Sequence, residues 1–171
     1  PELKNIKIFS RLSLIQKEIL KEKDSIFLLS LLIIDNTDNT DYFLYRFNIS
    51  KKNQKRIKNI DNFYKEKVSS KTFTMDNMNK FFYFHGKETT LDILNYRIFK
   101  FNKSDHSLKQ LINYYENSTT PKMPINADIL MKKYNIPEGK QLGEKLKIIE
   151  KEWVKNNFKI SDQQIDNIIN D

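Results

Sequence analysis

Acid–base or metal chemistry in this sequence would have to rest on two histidines, His85 and His106, and on scattered carboxylates. Neither histidine has a companion at metal-ligand spacing, so each reads as a surface or helix-end residue. Nucleotidyl or phosphoryl transfer needs clustered carboxylates for divalent cations, usually beside a glycine-rich loop whose backbone N–H groups hold phosphate. The chain has no close Asp-x-Asp pair, and its 3 glycines are too few for such a loop ahead of a Lys-Ser or Lys-Thr pair. The absence of cysteine removes disulfides and thiolate zinc sites. No catalytic residue, metal ligand or cofactor of its own is expected, and the chain alone is expected to be inactive.

Binding chemistry is better represented. Residues 51–71 hold the cations Lys51, Lys52, Lys55, Arg56, Lys58, Lys65, Lys67 and Lys71 against Asp61 and Glu66, a net +6 out of +8 for the chain. At helical spacing these cations collect opposite an apolar stripe of Ile57, Ile60 and Tyr64, so together they can neutralise several phosphates of a polyanion. An ordinary solvated face has the same pattern. A second candidate is Gly139-Lys140-Gln141-Leu142-Gly143. Free N–H groups at a helix start beside Lys140 can hold a phosphate, and Gly143 permits close approach of a phosphate or of another helix. A hairpin whose glycines serve packing alone fits those residues as well. The aromatic residues fall mostly on apolar faces, which gives little support to a base-stacking platform. Trp153, seven residues after Leu146, reads as a core anchor.

Positioning these residues falls to helices. Only 3 Gly and 4 Pro punctuate the chain, and apolar residues recur at three-and-four spacing almost throughout, which predicts an all-α fold. Residues 3–20 read as a first helix with Ile8, Leu12, Ile15 and Ile19 on one face, and Ser25 starts the next. The apolar run 26–34 is far short of the roughly 20 residues a bilayer span needs and reads as a buried core helix. Residues 35–41 read as a polar loop, and Ser50 as the N-cap of a helix to about Glu66. Met75, Met78, Phe81 and Phe82 mark a helix ending near Gly86, and Leu91, Leu94, Ile98 and Phe101 mark another. Ser104 is expected to cap a third, carrying Leu108, Leu111, Ile112 and Tyr115. The polar, proline-flanked stretch 117–124 reads as a connection between a compact helical body, residues 1–117, and a small C-terminal hairpin tail, residues 118–171. In the tail the spacing predicts a helix at 128–134, a turn at 135–139, a long helix to about Phe158 and a short helix capped by Ser161.

At 171 residues, with 39% hydrophobic and 30% charged content, the chain is long enough to bury a core and should fold. Its pI near 9.4 favours a polyanionic partner, nucleic acid or an anionic membrane face, although solubility alone would also account for the charge. Cysteine absence fits the cytoplasm. Pro1-Glu2-Leu3, with neither an initiator Met nor a signal-peptide pattern, suggests a chain excised from something longer or trimmed.

At these residues the sequence resembles a known family. The stretches Pro124-Ile125-Asn126-Ala127-Asp128-Ile129-Leu130-Met131, Tyr134-Asn135-Ile136-Pro137-Glu138-Gly139-Lys140-Gln141-Leu142-Gly143 and Leu146-Lys147-Ile148-Ile149-Glu150-Lys151-Glu152-Trp153 resemble the C-terminal tail motif of bacterial tRNA nucleotidyltransferases and related poly(A) polymerases. Leu44-Tyr45-Arg46-Phe47-Asn48-Ile49-Ser50-Lys51-Lys52 is similar to the family's lead-in to a basic helix. Phe84-His85-Gly86-Lys87 with Leu91-Asp92-Ile93-Leu94 is similar to its Gly-Lys helix turn, and residues 28–34 to the leucine-rich helix before it. These stretches stand in the family's order. The family often has Gly where this chain has Asn126.

The resemblance implies a helical body and tail that grip tRNA on its acceptor and T-arm side. The head, with its Gly-Ser loop, its Asp-x-Asp pair, Mg²⁺ and CTP or ATP, would precede Pro1. Recognition of A-form RNA by shape and backbone is consistent with such a basic surface. By carry-over, Arg46, Lys51, Lys52 and Lys87 would face RNA from the body, with Lys55 and Lys58 on the same basic helix, and Lys140, Gly143 and Lys147 from the tail. The expected function is therefore tRNA binding within a cytoplasmic enzyme that adds CCA to tRNA 3′ ends. Poly(A) addition uses the same regions, and an unrelated helical protein-interaction domain is the competing reading. Membrane partners are not expected.

Overall fold

Short polar side chains cap several of the helices in this chain. The computed structural model describes residues 3, 5–66, 68, 70–101 and 106–170, and among these there are helices and no strand. The all-α expectation holds. A 3-10 helix at Ile6–Arg11 is followed by α1 (Leu14–Lys21). The Ser13 hydroxyl accepts from the Gln16 N–H at 3.2 Å, while the Gln16 side chain accepts from the Ser13 N–H at 2.9 Å, a reciprocal capping box. This box starts a new helix where apolar spacing alone predicts one continuous helix over residues 3–20. Leu12 is buried as expected, Ile19 is exposed, and the Ile15 side chain lies outside the described residues.

Helix α2 (Ser25–Ile33) starts at Ser25, with the Asp24 carboxylate before it accepting from the N–H groups of Ile26 and Phe27 at 3.0 and 2.9 Å. Its Phe27, Leu31 and Ile33 are buried, each contributing about 1.5–3 kcal/mol of hydrophobic stabilisation. Helix α3 (Asn39–Arg46) begins inside the stretch that reads as a loop. The reason is local: Asn39 donates to the Ile33 carbonyl at 2.9 Å, satisfying the end of α2, and its own N–H donates to the Thr37 hydroxyl at 3.1 Å.

Helix α4 (Lys51–Lys65) is capped by Ser50 and buries Ile57, Ile60 and Tyr64, as the sequence predicts. After a 3-10 turn at Ser70–Phe73, α5 (Met75–Phe101) runs through a kink at Gly86, whose φ of 79° and ψ of 175° belong to a region open essentially to glycine. Helix α5 serves two clusters. Met78 and Phe82 before the kink and Leu94 after it pack with Leu108, Leu111 and Tyr115 of α6 (His106–Asn117), while Ile93, Tyr96 and Phe99 join α2 and α4. The expected Ser104 cap lies outside the described residues.

The chain divides into two compact units, Pro1–Thr119 and Thr120–Asp171, called here the body and the tail. The tail contains α7 (Ala127–Tyr134), α8 (Lys140–Lys155) and α9 (Asp162–Asn170). Asn126 caps α7 by accepting from the Ile129 N–H at 2.9 Å, and Asn135, in the left-handed region, ends it. Ser161 and Gln164 form a second capping box at α9. Leu130, Ile136, Leu142, Ile149 and Ile165 make an aliphatic core, while Trp153 is buried against Phe158. Among the described residues no helix is long and apolar enough to cross a membrane.

Candidate nucleic-acid interface

The basic stretch of α4 is sorted by its partners. Lys51, Lys55, Lys58 and Lys65 fall within about 80° around the helix axis, opposite the buried stripe, and Lys52 flanks them. Lys51, Lys52 and Lys55 are exposed and carry no ion pair among the described residues. Lys58 lies 2.8 Å from Asp41, whose carboxyl it holds below the usual range through that hydrogen bond. Lys65 lies 2.8 Å from the buried Asp61.

Arg56 does not belong to the basic face. Its Nε and Nη2 donate to the two oxygens of Asp92 at 2.5 and 2.9 Å, and its Nη1 donates to Asp24 at 2.7 Å. Glu88 is 3.3 Å away. The hydrogen bonds to Asp92 raise the Arg56 pKa further, so it stays charged. Burial pushes the Asp92 carboxyl up, against the pull of Arg56. Burial would also raise Asp24, but the Phe27 N–H and Arg56 overcome it and hold that carboxyl low. The net +6 of the stretch therefore overstates what faces solvent. Lys67 and the Lys71 side chain lie outside the described residues.

Arg46, the last residue of α3, is exposed and shares a groove with Lys58, Asp41, Tyr45, Asn48 and Gln54. Beside it the tyrosines of α3 are bare: Tyr45 is 90% exposed and Tyr42 58%. Three residues apart, they share one side of the helix and offer ring faces on which bases can stack. The sequence does not show this because the first three residues of α3 read as a loop, so its tyrosines have no helix face to be assigned to.

The remaining positions are more dispersed. Lys87, just past the kink, donates to the Glu116 carbonyl and so places its charge at the C-terminal end of α6, where the helix dipole favours a cation. In the tail, Lys140, Gly143 and Lys147 fall within about 60° around α8, opposite Leu142, Ile149 and Trp153. Lys140 is the first residue of the helix and lies 3.7 Å from Glu144, both well exposed. A Cβ at Gly143 would meet nothing within 4 Å among the described residues, so the glycine is not required by close packing within the tail. Lys151 is also exposed there, unremarked in the sequence reading.

Among the described residues no group of three or more His, Cys, Asp or Glu side chains is placed to hold a metal ion. His85 stacks on Phe81 with ring centroids 4.1 Å apart, and His106 opens α6 at the surface.

A family model described as "tRNA nucleotidyltransferase domain 2 putative" matches residues 18–168, across both units. No curated protein and no solved structure matches the chain. The match sets aside a domain unrelated to tRNA nucleotidyltransferases.

Proposed function

This chain belongs to the tRNA nucleotidyltransferase domain 2 family, and on that premise we propose that it is the tRNA-gripping part of a CCA-adding enzyme. The observation that carries the proposal is the group of unpaired, exposed lysines Lys51, Lys52 and Lys55 on one helix, with Arg46 and the bare ring of Tyr45 on the helix before it. Three free ammonium groups on adjacent turns suit the phosphates of an RNA strand, and the flanking guanidinium can take a phosphate in two hydrogen bonds. Lys58 contributes once RNA displaces Asp41, and Lys87 adds charge near the α5 kink. In the tail, Lys140, Gly143 and Lys147 present a second, open basic strip whose glycine leaves room for a sugar–phosphate backbone. Nucleotide addition, with its Mg²⁺ and CTP or ATP, is assigned to a head whose carboxylate pair and glycine loop this sequence does not include. The setting is cytoplasmic.

Titration with labelled tRNA and with duplex DNA of similar charge, at roughly 50 and 200 mM salt, tests this. With about six phosphates contacted, tRNA affinity should fall about a thousandfold between the two salts. The chain should also prefer tRNA to the duplex at both. Salt-insensitive binding, or equal affinity for the two polyanions, contradicts the proposal.

A further inference from the structure

Between the 3-10 helix Ile6–Arg11 and the C-terminal end of α5 lies a cleft of about 380 Å³ that uses none of the residues assigned above. Lys7, Arg11 and Lys100 line it, and the rest of its lining is Asn5 and apolar side chains, with no carboxylate among the described residues. Its volume is within the range of small-ligand sites.

Lys100 is the unusual member. Its ammonium donates to the Ile34 carbonyl at 2.9 Å, an oxygen that already accepts from Asn5 at 2.8 Å and from the Tyr96 hydroxyl at 3.3 Å. No carboxylate among the described residues lies within ion-pair distance of it, and Asp35 acts on it only through its more distant field. Burial pushes this ammonium down to about 8. A half-buried cation with no carboxylate within ion-pair distance among the described residues is costly, and two further cations at the same cleft raise the cost until an anion arrives. At the edge, Phe101 keeps about half of its surface exposed, with its ring held against Tyr64 at 5.7 Å.

We propose that this cleft binds the phosphate of a nucleotide, with Lys7, Arg11 and Lys100 on the phosphoryl oxygens and the Phe101 ring against the base. Charge-assisted hydrogen bonds from an ammonium and a guanidinium favour a phosphate over neutral ligands, and an exposed ring beside them suits a flat base. The nucleotide is either free or one unit of an RNA strand. The inference does not require the α4 face to bind RNA.

The test is an NMR titration of the full chain with CMP, with cytidine, and with a 5′-phosphorylated RNA tetranucleotide and its unphosphorylated form. CMP or the phosphorylated strand should shift the Lys7, Arg11 and Phe101 resonances, and whichever of the two does so identifies the source. Arg11→Gln, an exposed position whose change leaves the core intact, should weaken that binding about tenfold or more. Lys100→Met should do the same with an unchanged circular dichroism spectrum, whereas Lys51→Glu with Lys52→Glu should leave the cleft shifts unchanged. Absence of shifts with both phosphate probes, equal binding of cytidine, or undiminished binding by Arg11→Gln overturns the inference.

Discussion

The body adds to its apolar cores many polar bonds between residues far apart in the chain, whereas the tail sets fewer such bonds beside a small aliphatic core. In the body, Arg56 ties α4 to α5 through Asp92, and the Tyr64 hydroxyl donates to the Ile93 carbonyl at 2.7 Å. Lys100 and Tyr96 both reach back to the end of α2. Arg56 is thereby consumed in holding the fold. In the tail Lys140 and Lys147 are exposed, and the polar ties between helices include Tyr134 to Asp166 at 2.5 Å, Lys145 to the Ile168 carbonyl at 2.8 Å and a surface pair between Lys133 and Asp162 at 3.4 Å. The lesson is that a basic composition says little about a basic surface. What pairs with each cation decides.

The sharpest way to break this comparison is Arg56→Ala. It strands Asp92 in a buried setting, and breaking such a pair costs about 3–5 kcal/mol. Trp153, the one tryptophan in the sequence, lies in α8 and so reports on the tail. In urea, helix content of the variant should fall at lower denaturant while the Trp153 fluorescence transition holds its midpoint. Equal shifts in both signals would mean that the distinction between the two regions has no energetic content.

A smaller effect is expected from Ile149→Ala, which empties a fully buried position in the tail core at a cost of about 2–5 kcal/mol. A unit of this size has little stability in reserve. Trp153 emission should shift to the red under native conditions, with most body helicity retained. A native Trp153 spectrum would show that this core tolerates more than its size suggests.

The smallest effect is a pH dependence set by Lys100 in the body. Because Lys100 is held at about 8 in the fold against an ordinary 10.5, the unfolded chain binds more protons between these values. Stability should therefore climb as pH rises through that window, by about 1 kcal/mol after allowance for solvent screening at a half-exposed site. Lys100→Met should lack the climb, seen as a melting-temperature difference between the two proteins that changes from pH 7.5 to 10. A constant difference would contradict the uncompensated burial of this ammonium.

These contrasts also explain which features can be read from sequence. The all-α class, the Ser50 and Ser161 caps, the Ile57–Ile60–Tyr64 stripe, the break at Gly86 and the burial of Trp153 depend on neighbours within a turn or two. Local spacing carries them. The capping box at Ser13 is local too, but a reading led by apolar periodicity passes over it and joins two helices into one. Arg56 and Lys100 meet partners 32 to 66 residues away, and nothing in the spacing around either announces that. The exposed Tyr42 and Tyr45 depend on α3 beginning at Asn39, which follows from the contact of Asn39 with Ile33.

The most direct test of the account compares two variants for tRNA affinity and its salt dependence: Lys51→Glu with Lys52→Glu and Lys55→Glu in the body, and Lys140→Glu with Lys147→Glu in the tail. The slope of log affinity against log salt should become shallower by about 3 in the first and about 2 in the second, one phosphate contact per lysine removed. Melting temperatures should barely move, since all five positions are exposed. Unchanged affinity and slope in the body variant would contradict the claim that its free lysines grip tRNA.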